Sequence, residues 1–152
     1  MRVVVIAVGR AKPGALRDLF ENYAKRFPWR LELIEVQEKR RLPPEELKKR
    51  EAERLLAAVP QGALIVALDP RGETLDSEGF ARKLGAWRDR GRKDIAFLIG
   101  GAEGLAEAAL ERADLALSLG AMTWPHLLVR VLLAEQLYRA SSILAGHPYH
   151  RV

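Results

Sequence analysis

Val3–Val8, Ala63–Leu68 and Ile95–Ile99 are each apolar without interruption and rich in β-branched or aromatic residues. A strand with one face in water alternates apolar and polar residues. Runs as uniform as these predict strands covered on both faces, as in a mostly parallel sheet flanked by helices. Leu31–Val36 and Leu115–Leu119 add two shorter strand candidates. The segments between carry helical spacing instead. Leu16, Leu19, Phe20, Tyr23 and Phe27 share one face before Pro28 stops the helix. Pro43 and Pro44 open a second helix, with Leu47, Leu55, Leu56 and Val59 inward. Asp76-Ser77 caps a third, with Phe80, Leu84 and Trp87 inward and Gly91 at its end. An Ala-rich helix runs to about Arg112, and the longest apolar helix runs from Pro125 to Ala145. Asp69-Pro70-Arg71-Gly72 reads as a turn closing the third strand. The expected architecture is α/β: five mostly parallel strands with helices on both faces.

With 152 residues, 49% of them hydrophobic, one domain over residues 1–152 with a substantial core is expected. The absence of cysteine excludes disulfides and thiolate metal sites. MRVVVIAVGR reads as a strand rather than a signal peptide, and Arg130, Glu135 and Arg139 interrupt the longest apolar run. A cytoplasmic protein without a membrane segment is the expectation. The net charge is +5, and the whole positive excess lies before residue 100. A basic body can meet an anionic partner such as nucleic acid, or simply keep a small protein soluble. The Lys39-Arg40-Arg41 run, expected in a loop and free to move, is one candidate phosphate contact; a solvated charge run is the alternative.

Parallel strands bring their carboxyl ends to one edge, so three unusual strand-end loops are expected to converge: Leu68-Asp69-Pro70, Gly100–Gly104 and Gly120–Pro125. Gly100-Gly101-Ala102-Glu103-Gly104 is neither a P-loop nor a GxGxxG fingerprint, yet its glycines let a ligand approach the backbone. Met122 and Trp124 can wall a flat heteroaromatic ligand such as adenine, or can equally serve as core or subunit contacts. His126 opens the long helix, where the dipole disfavours its cation, and Arg130 follows one turn later. Tyr149-His150-Arg151 offers an aromatic, an imidazole and a guanidinium, equipment for stacking on a base and gripping phosphate. His126, His147 and His150 have no acidic partner at ligand spacing, so no metal is expected. The Ser and Thr residues form no nucleophile elbow.

The segments VIAVGR, LIGGAEGL (Leu98–Leu105), LSLGAMTWPHLLVRVLLAEQLYRA (Leu117–Ala140) and HPYHR (His147–Arg151) together resemble the ribosomal RNA large subunit methyltransferase H family of the SPOUT class. The resemblance spans nearly the whole chain. It implies an S-adenosyl-L-methionine-dependent enzyme that methylates N3 of a pseudouridine in 23S rRNA of the ribosome. It also implies a homodimer and a C-terminal trefoil knot, although knots are rare in general. Carried over by position, Leu68, Gly100, Leu119, Gly120, Ala121, Met122, Thr123 and Trp124 would bind the cofactor. Where the family has Ser, often followed by Lys, this chain has Gly120-Ala121, so backbone contacts are expected there. An activated sulfonium methyl needs no metal, but the N3 proton must leave. Glu103, His126 and His150 are candidate bases. Arg130 or Arg151 could stabilise an anion or hold phosphate. Tyr149, His150 and Arg151 would face RNA, completing the site of the partner subunit. Two alternatives stay open: the same chemistry on another RNA such as tRNA, or a non-catalytic RNA-binding assembly factor.

Overall fold

The computed structural model describes residues 1–151. Its elements alternate: β1 (Arg2–Val8), α1 (Ala15–Arg26), β2 (Arg30–Val36), α2 (Pro44–Ala57), β3 (Leu64–Thr74), α3 (Ser77–Asp89), β4 (Asp94–Ile99), α4 (Glu107–Arg112), β5 (Leu115–Ser118) and α5 (His126–Leu144). The five strands form one sheet in the order β2-β1-β4-β3-β5, every pairing parallel. The uninterrupted apolar runs are its inner strands.

Residue parity decides which face each side chain covers. Val3, Val5, Ala7, Val66 and Phe97 pack with Phe20 of α1, Phe80 and Leu84 of α3, and Leu133 and Leu137 of α5. Val4, Ile6, Val8, Ala67 and Leu98 pack on the other side with Ala52 and Leu55 of α2 and Ala109 of α4. Moves along the sheet in one direction use α1 and α3, and moves in the other use α2 and α4. All four crossovers therefore share one hand.

Three sequence expectations need correction. The turn at Asp69–Gly72 does not end β3. Leu117 stands opposite both Leu68 and Glu73, so residues 69–72 leave the ladder and the strand resumes. Asp69 turns the chain locally by accepting from the backbone N–H of Arg71 at 2.8 Å. Gly72 then lies so close to β5 that a Cβ there would sit 2.6 Å from the carbonyl carbon of Ala116. Second, Leu16 and Leu19 of α1 stay exposed, although they continue the apolar face.

Third, the Lys39-Arg40-Arg41 run is not wholly free. Glu38, its side chain 2% exposed, holds Arg40 at 2.5 Å and Arg54 at 2.8 Å. Hydrogen bonds from Arg40 and then Arg54 bring the Glu38 carboxyl down to about 2. A carboxylate depressed on folding contributes stability above its unfolded pKa and loses it as pH falls toward the folded value. Glu38→Gln should therefore weaken the protein at pH 7 and flatten its loss of stability between about pH 4.3 and pH 2. Urea unfolding at stepped pH reads this, and an unchanged acid profile would contradict it.

Candidate functional site

β4 sends the chain to one face of the sheet, while its neighbour β3 and the edge strand β5 send it to the other. Such a switch opens a crevice beyond the carboxyl ends. Here it is a cleft of about 310 Å³ lined by the three loops expected to meet. The first contributes Leu68, Asp69 and Pro70, the second Gly100 to Gly104, and the third Leu119, Gly120, Met122, Thr123 and Trp124. His126 and Val129 of α5 close one side. The size lies at the lower end of small-molecule sites.

The loops keep their shapes for local reasons. A Cβ on Gly100 would lie 2.6 Å from the carbonyl carbon of Gly104, so only glycine lets the second loop close on itself. Gly104 N–H donates to the Gly101 carbonyl at 3.0 Å. Gly120, at φ +112°, turns the chain out of β5, and its N–H donates to Ser118 Oγ at 3.1 Å. Trp124 Nε1 donates to the Leu119 carbonyl at 3.3 Å, which folds the third loop over. Met122 and Trp124 are 73% and 40% exposed, an apolar wall facing open space rather than core. Ala121 is exposed and lies outside the lining.

Two of the three candidate bases share the cleft. Glu103 stands on the second loop and His126 at the mouth of α5. Burial, and then the charge of Arg130, push the His126 imidazole below its ordinary value, so it is a neutral acceptor at pH 7. Its Nε2 lies 3.4 Å from where a Cβ on Gly9 would be. Asp69 is committed elsewhere: Arg71 Nε and Nη2 donate to it at 3.1 and 3.2 Å, and Arg71 holds its carboxyl below the usual range.

Arg130 and His150 are not in that cleft. Arg130, 2% exposed, donates to Glu35 at 2.6 Å and to the carbonyls of Val8 and Gly9 at 3.1 and 2.9 Å. A guanidinium so engaged pins α5 to the end of β1. Burial raises the Glu35 carboxyl, but the Ala11 N–H and Arg130 outweigh it and leave it lowered. The tail folds back on the far half of α5. Tyr149 donates to Glu135 at 3.1 Å and meets Tyr138 edge-on at 4.7 Å. His150 Nδ1 is 3.1 Å from Arg139 Nη1, and its Nε2 is 3.6 Å from Glu78. Burial, then Tyr23 and Glu135, push the Tyr149 phenol up to about 12. Glu135 to Arg139 lie roughly 14–20 Å along α5 from His126. The tail therefore does not reach the cleft of its own chain. Arg151 is exposed.

One residue of interest is missing from the sequence-based candidates. Glu51 of α2 is 8% exposed, and its Oε1 has no partner. A Cβ on Gly101 would lie 3.2 and 3.5 Å from its two oxygens, so it sits directly behind the second loop. Burial and then Glu103 push its carboxyl up. The signal was present: Leu47, Glu51 and Leu55 fall at i, i+4 and i+8, placing an acid on the apolar face of the helix. Among the described residues, no group of three or more acidic or histidine side chains could hold a metal. No helix among them is long and apolar enough to cross a membrane.

Comparison with known proteins agrees with this fold. Two solved structures share it at low identity. A probable methylase family protein from Haemophilus influenzae superposes with a TM-score of 0.59 at 14% identity, over 99% of this chain and 70% of that one. The SpoU methyltransferase AviRb from Streptomyces viridochromogenes, solved with AdoMet, gives 0.51 at 16% identity, over 96% and 59%. Sequence relatives are much nearer. Ribosomal RNA large subunit methyltransferase H of Rhodospirillum centenum is 63% identical over 99% of both chains. Its namesake from Paramagnetospirillum magneticum is 58% identical over the same share. The family model described as "Predicted SPOUT methyltransferase" matches residues 1–150. This chain belongs to the SPOUT methyltransferase family, and within it to the ribosomal RNA large subunit methyltransferase H proteins.

Proposed function

We propose that this protein transfers the methyl group of S-adenosyl-L-methionine to N3 of a pseudouridine in 23S rRNA. The observation that carries the reading is the convergence of three loops on one apolar cleft, in a chain 63% identical to a ribosomal RNA large subunit methyltransferase H. The residues present fit the cofactor. Met122 and Trp124 offer apolar faces for a flat ring, and Leu68, Ile99, Leu117 and Leu119 supply the rest of the apolar lining. The exposed backbone of Ala121 to Trp124 lies outside helix and strand, so its amides are available to a ligand. Gly100, Leu119 and Gly120 bring backbone close without side chains in the way, or with an apolar one. Ala121 takes part through its backbone. When bound, the cofactor supplies an activated methyl group on a sulfonium.

The chain's own part is to orient, exclude water and take the proton from N3. His126 is the base: it faces the cleft, it is neutral, and its nitrogens are not engaged by a carboxylate. Glu103 is the second candidate on the same cleft. Arg130 acts by fixing the helix that carries His126, because both of its terminal nitrogens are taken by Glu35 and by the Val8 and Gly9 carbonyls. Exposed Arg10 and Lys12, beside the first turn of α5, are available to RNA phosphates.

The protein works as a homodimer in the cytoplasm. Exposed Leu16 and Leu19 on α1 support a second copy, since two leucines one turn apart are costly to leave in water. The distance between each tail and its own cleft supports a composite site in which Tyr149, His150 and Arg151 serve the partner's RNA. The trefoil knot belongs to the same reading. Supporting it, Leu119–Pro125 crosses from the edge strand β5 to the end of β1, past the carboxyl ends of β3 and β4.

The test uses cofactor labelled in its methyl group and ribosomes from cells lacking the modification. Label should appear in N3-methylpseudouridine after nucleoside digestion, and light scattering should give twice the chain mass of 17.0 kDa. Label in tRNA instead would move the target. No transfer to any RNA would overturn the reading.

A further inference from the structure

We propose that Glu51, with Glu103 beside it, receives the α-ammonium group at the amino-acid end of the cofactor, an inference that rests on the cofactor reading above. The cleft is acidic in a protein of net charge +5: its lining holds Asp69 and Glu103 and neither lysine nor arginine. The nearby cations are spent on other partners. Arg71 is bound to Asp69, and Arg130 to Glu35 and two backbone carbonyls. Behind the lining stands Glu51, more than nine-tenths buried, its Oε1 unpartnered and its carboxyl facing Gly101. Gly101 belongs to the lining, and its lack of a side chain lets that carboxyl stand directly behind it. The charge of Glu103 on the same loop makes the spot still less favourable for an isolated anion.

A buried carboxylate without a partner destabilises the fold that contains it. A residue with only a packing role here would do better as glutamine. The missing partner is a compact cation with several N–H donors, which is what a primary ammonium offers. The apolar wall of Met122 and Trp124 takes the flat end of the same ligand, and the second loop takes the charged end. Glu51 is thus a specificity residue for the cofactor, distinct from the acid–base group.

Calorimetric titration of the full-length protein tests this with three probes: S-adenosylmethionine, S-adenosylhomocysteine and methylthioadenosine. The first two carry the ammonium and the third lacks the whole amino-acid end. E51Q should weaken both ammonium-bearing probes by about tenfold or more and leave methylthioadenosine within about twofold. Its melting temperature should equal or exceed that of the wild type. A second arm needs no mutation. The wild type should bind S-adenosylhomocysteine at least about tenfold more tightly than the analogue with hydrogen in place of the amino group. Equal affinity for that pair overturns the proposal. So does an E51Q effect that is absent, uniform across the three probes, or accompanied by a lower melting temperature. If the wild type binds none of the probes, the cofactor reading itself has failed.

Discussion

Gly72→Ala should unfold this protein more readily than any other single-methyl addition to its glycine backbone, except at Gly100. The added carbon would lie 2.6 Å from both the carbonyl carbon and the oxygen of Ala116, and 2.8 Å from the nitrogen of Leu117. These are backbone atoms of β5, and no rotamer change moves them aside. The strand pair must separate instead, where β3 re-joins the ladder after its excursion. Overpacking of this kind costs about 3 kcal/mol or more. For a chain of this length that lowers the melting temperature by roughly 6–12 °C. Gly91→Ala is the control. Its backbone at φ +80° disfavours a side chain, but a Cβ there meets nothing within 4 Å. It should cost only about 1 kcal/mol. Equal melting temperatures for the two variants would mean that β3 and β5 are not held at this separation. Because Leu68 and Leu117 line the cleft from these strands, cofactor binding should fall with Gly72→Ala and persist in Gly91→Ala.

His126→Asn should reduce methyl transfer by roughly 10²- to 10⁴-fold, the range removed with a general base. Asparagine keeps a polar side chain of similar reach but accepts no proton near neutrality. Cofactor affinity should change little, which separates the loss of a base from loss of the cleft. The pH profile gives the sharper readout. Burial and the Arg130 charge lower the imidazole from 6.5, so the neutral form persists below that value as pH falls. The acid limb of kcat/KM should therefore lie below pH 6.5 in the wild type and disappear in the variant. Should Glu103→Gln abolish that limb while His126→Asn keeps it, Glu103 is the base.

Much of this was open to reading from the chain. The apolar runs of β1, β3 and β4 announced strands buried on two faces, and alternation with helical spacing made the sheet parallel. Once it was parallel, the meeting of Leu68, Gly100 and Gly120 followed from geometry, because all carboxyl ends share one edge. What escaped depends on contacts between segments distant in sequence. Asp69-Pro70-Arg71-Gly72 has the chemistry of a turn, and only β5 alongside converts it into a bulge. Arg130 looked available because its partners, Glu35 and the Val8 and Gly9 carbonyls, lie near the other end of the chain. The tail offers equipment for RNA contact, and its intramolecular partners, Glu135, Arg139 and Glu78 for Tyr149 and His150, could not be read from the sequence. Glu51 was visible as an acid on an apolar helix face. Its meaning depends on Gly101, fifty residues later, a residue of the cleft lining that its carboxyl stands behind.

The Arg130 clamp also bears on synthesis. It joins α5 to Val8 and Gly9 across 122 and 121 residues. During translation, β1 emerges before α5 and waits through the intervening residues before its carboxyl end is tied down. Contacts between segments this far apart close late and fold slowly. Until α5 arrives, β1 is covered by α1 on one face and α2 on the other, but its carboxyl end lacks the clamp. The cleft, closed on one side by His126 and Val129, assembles only once α5 is in place.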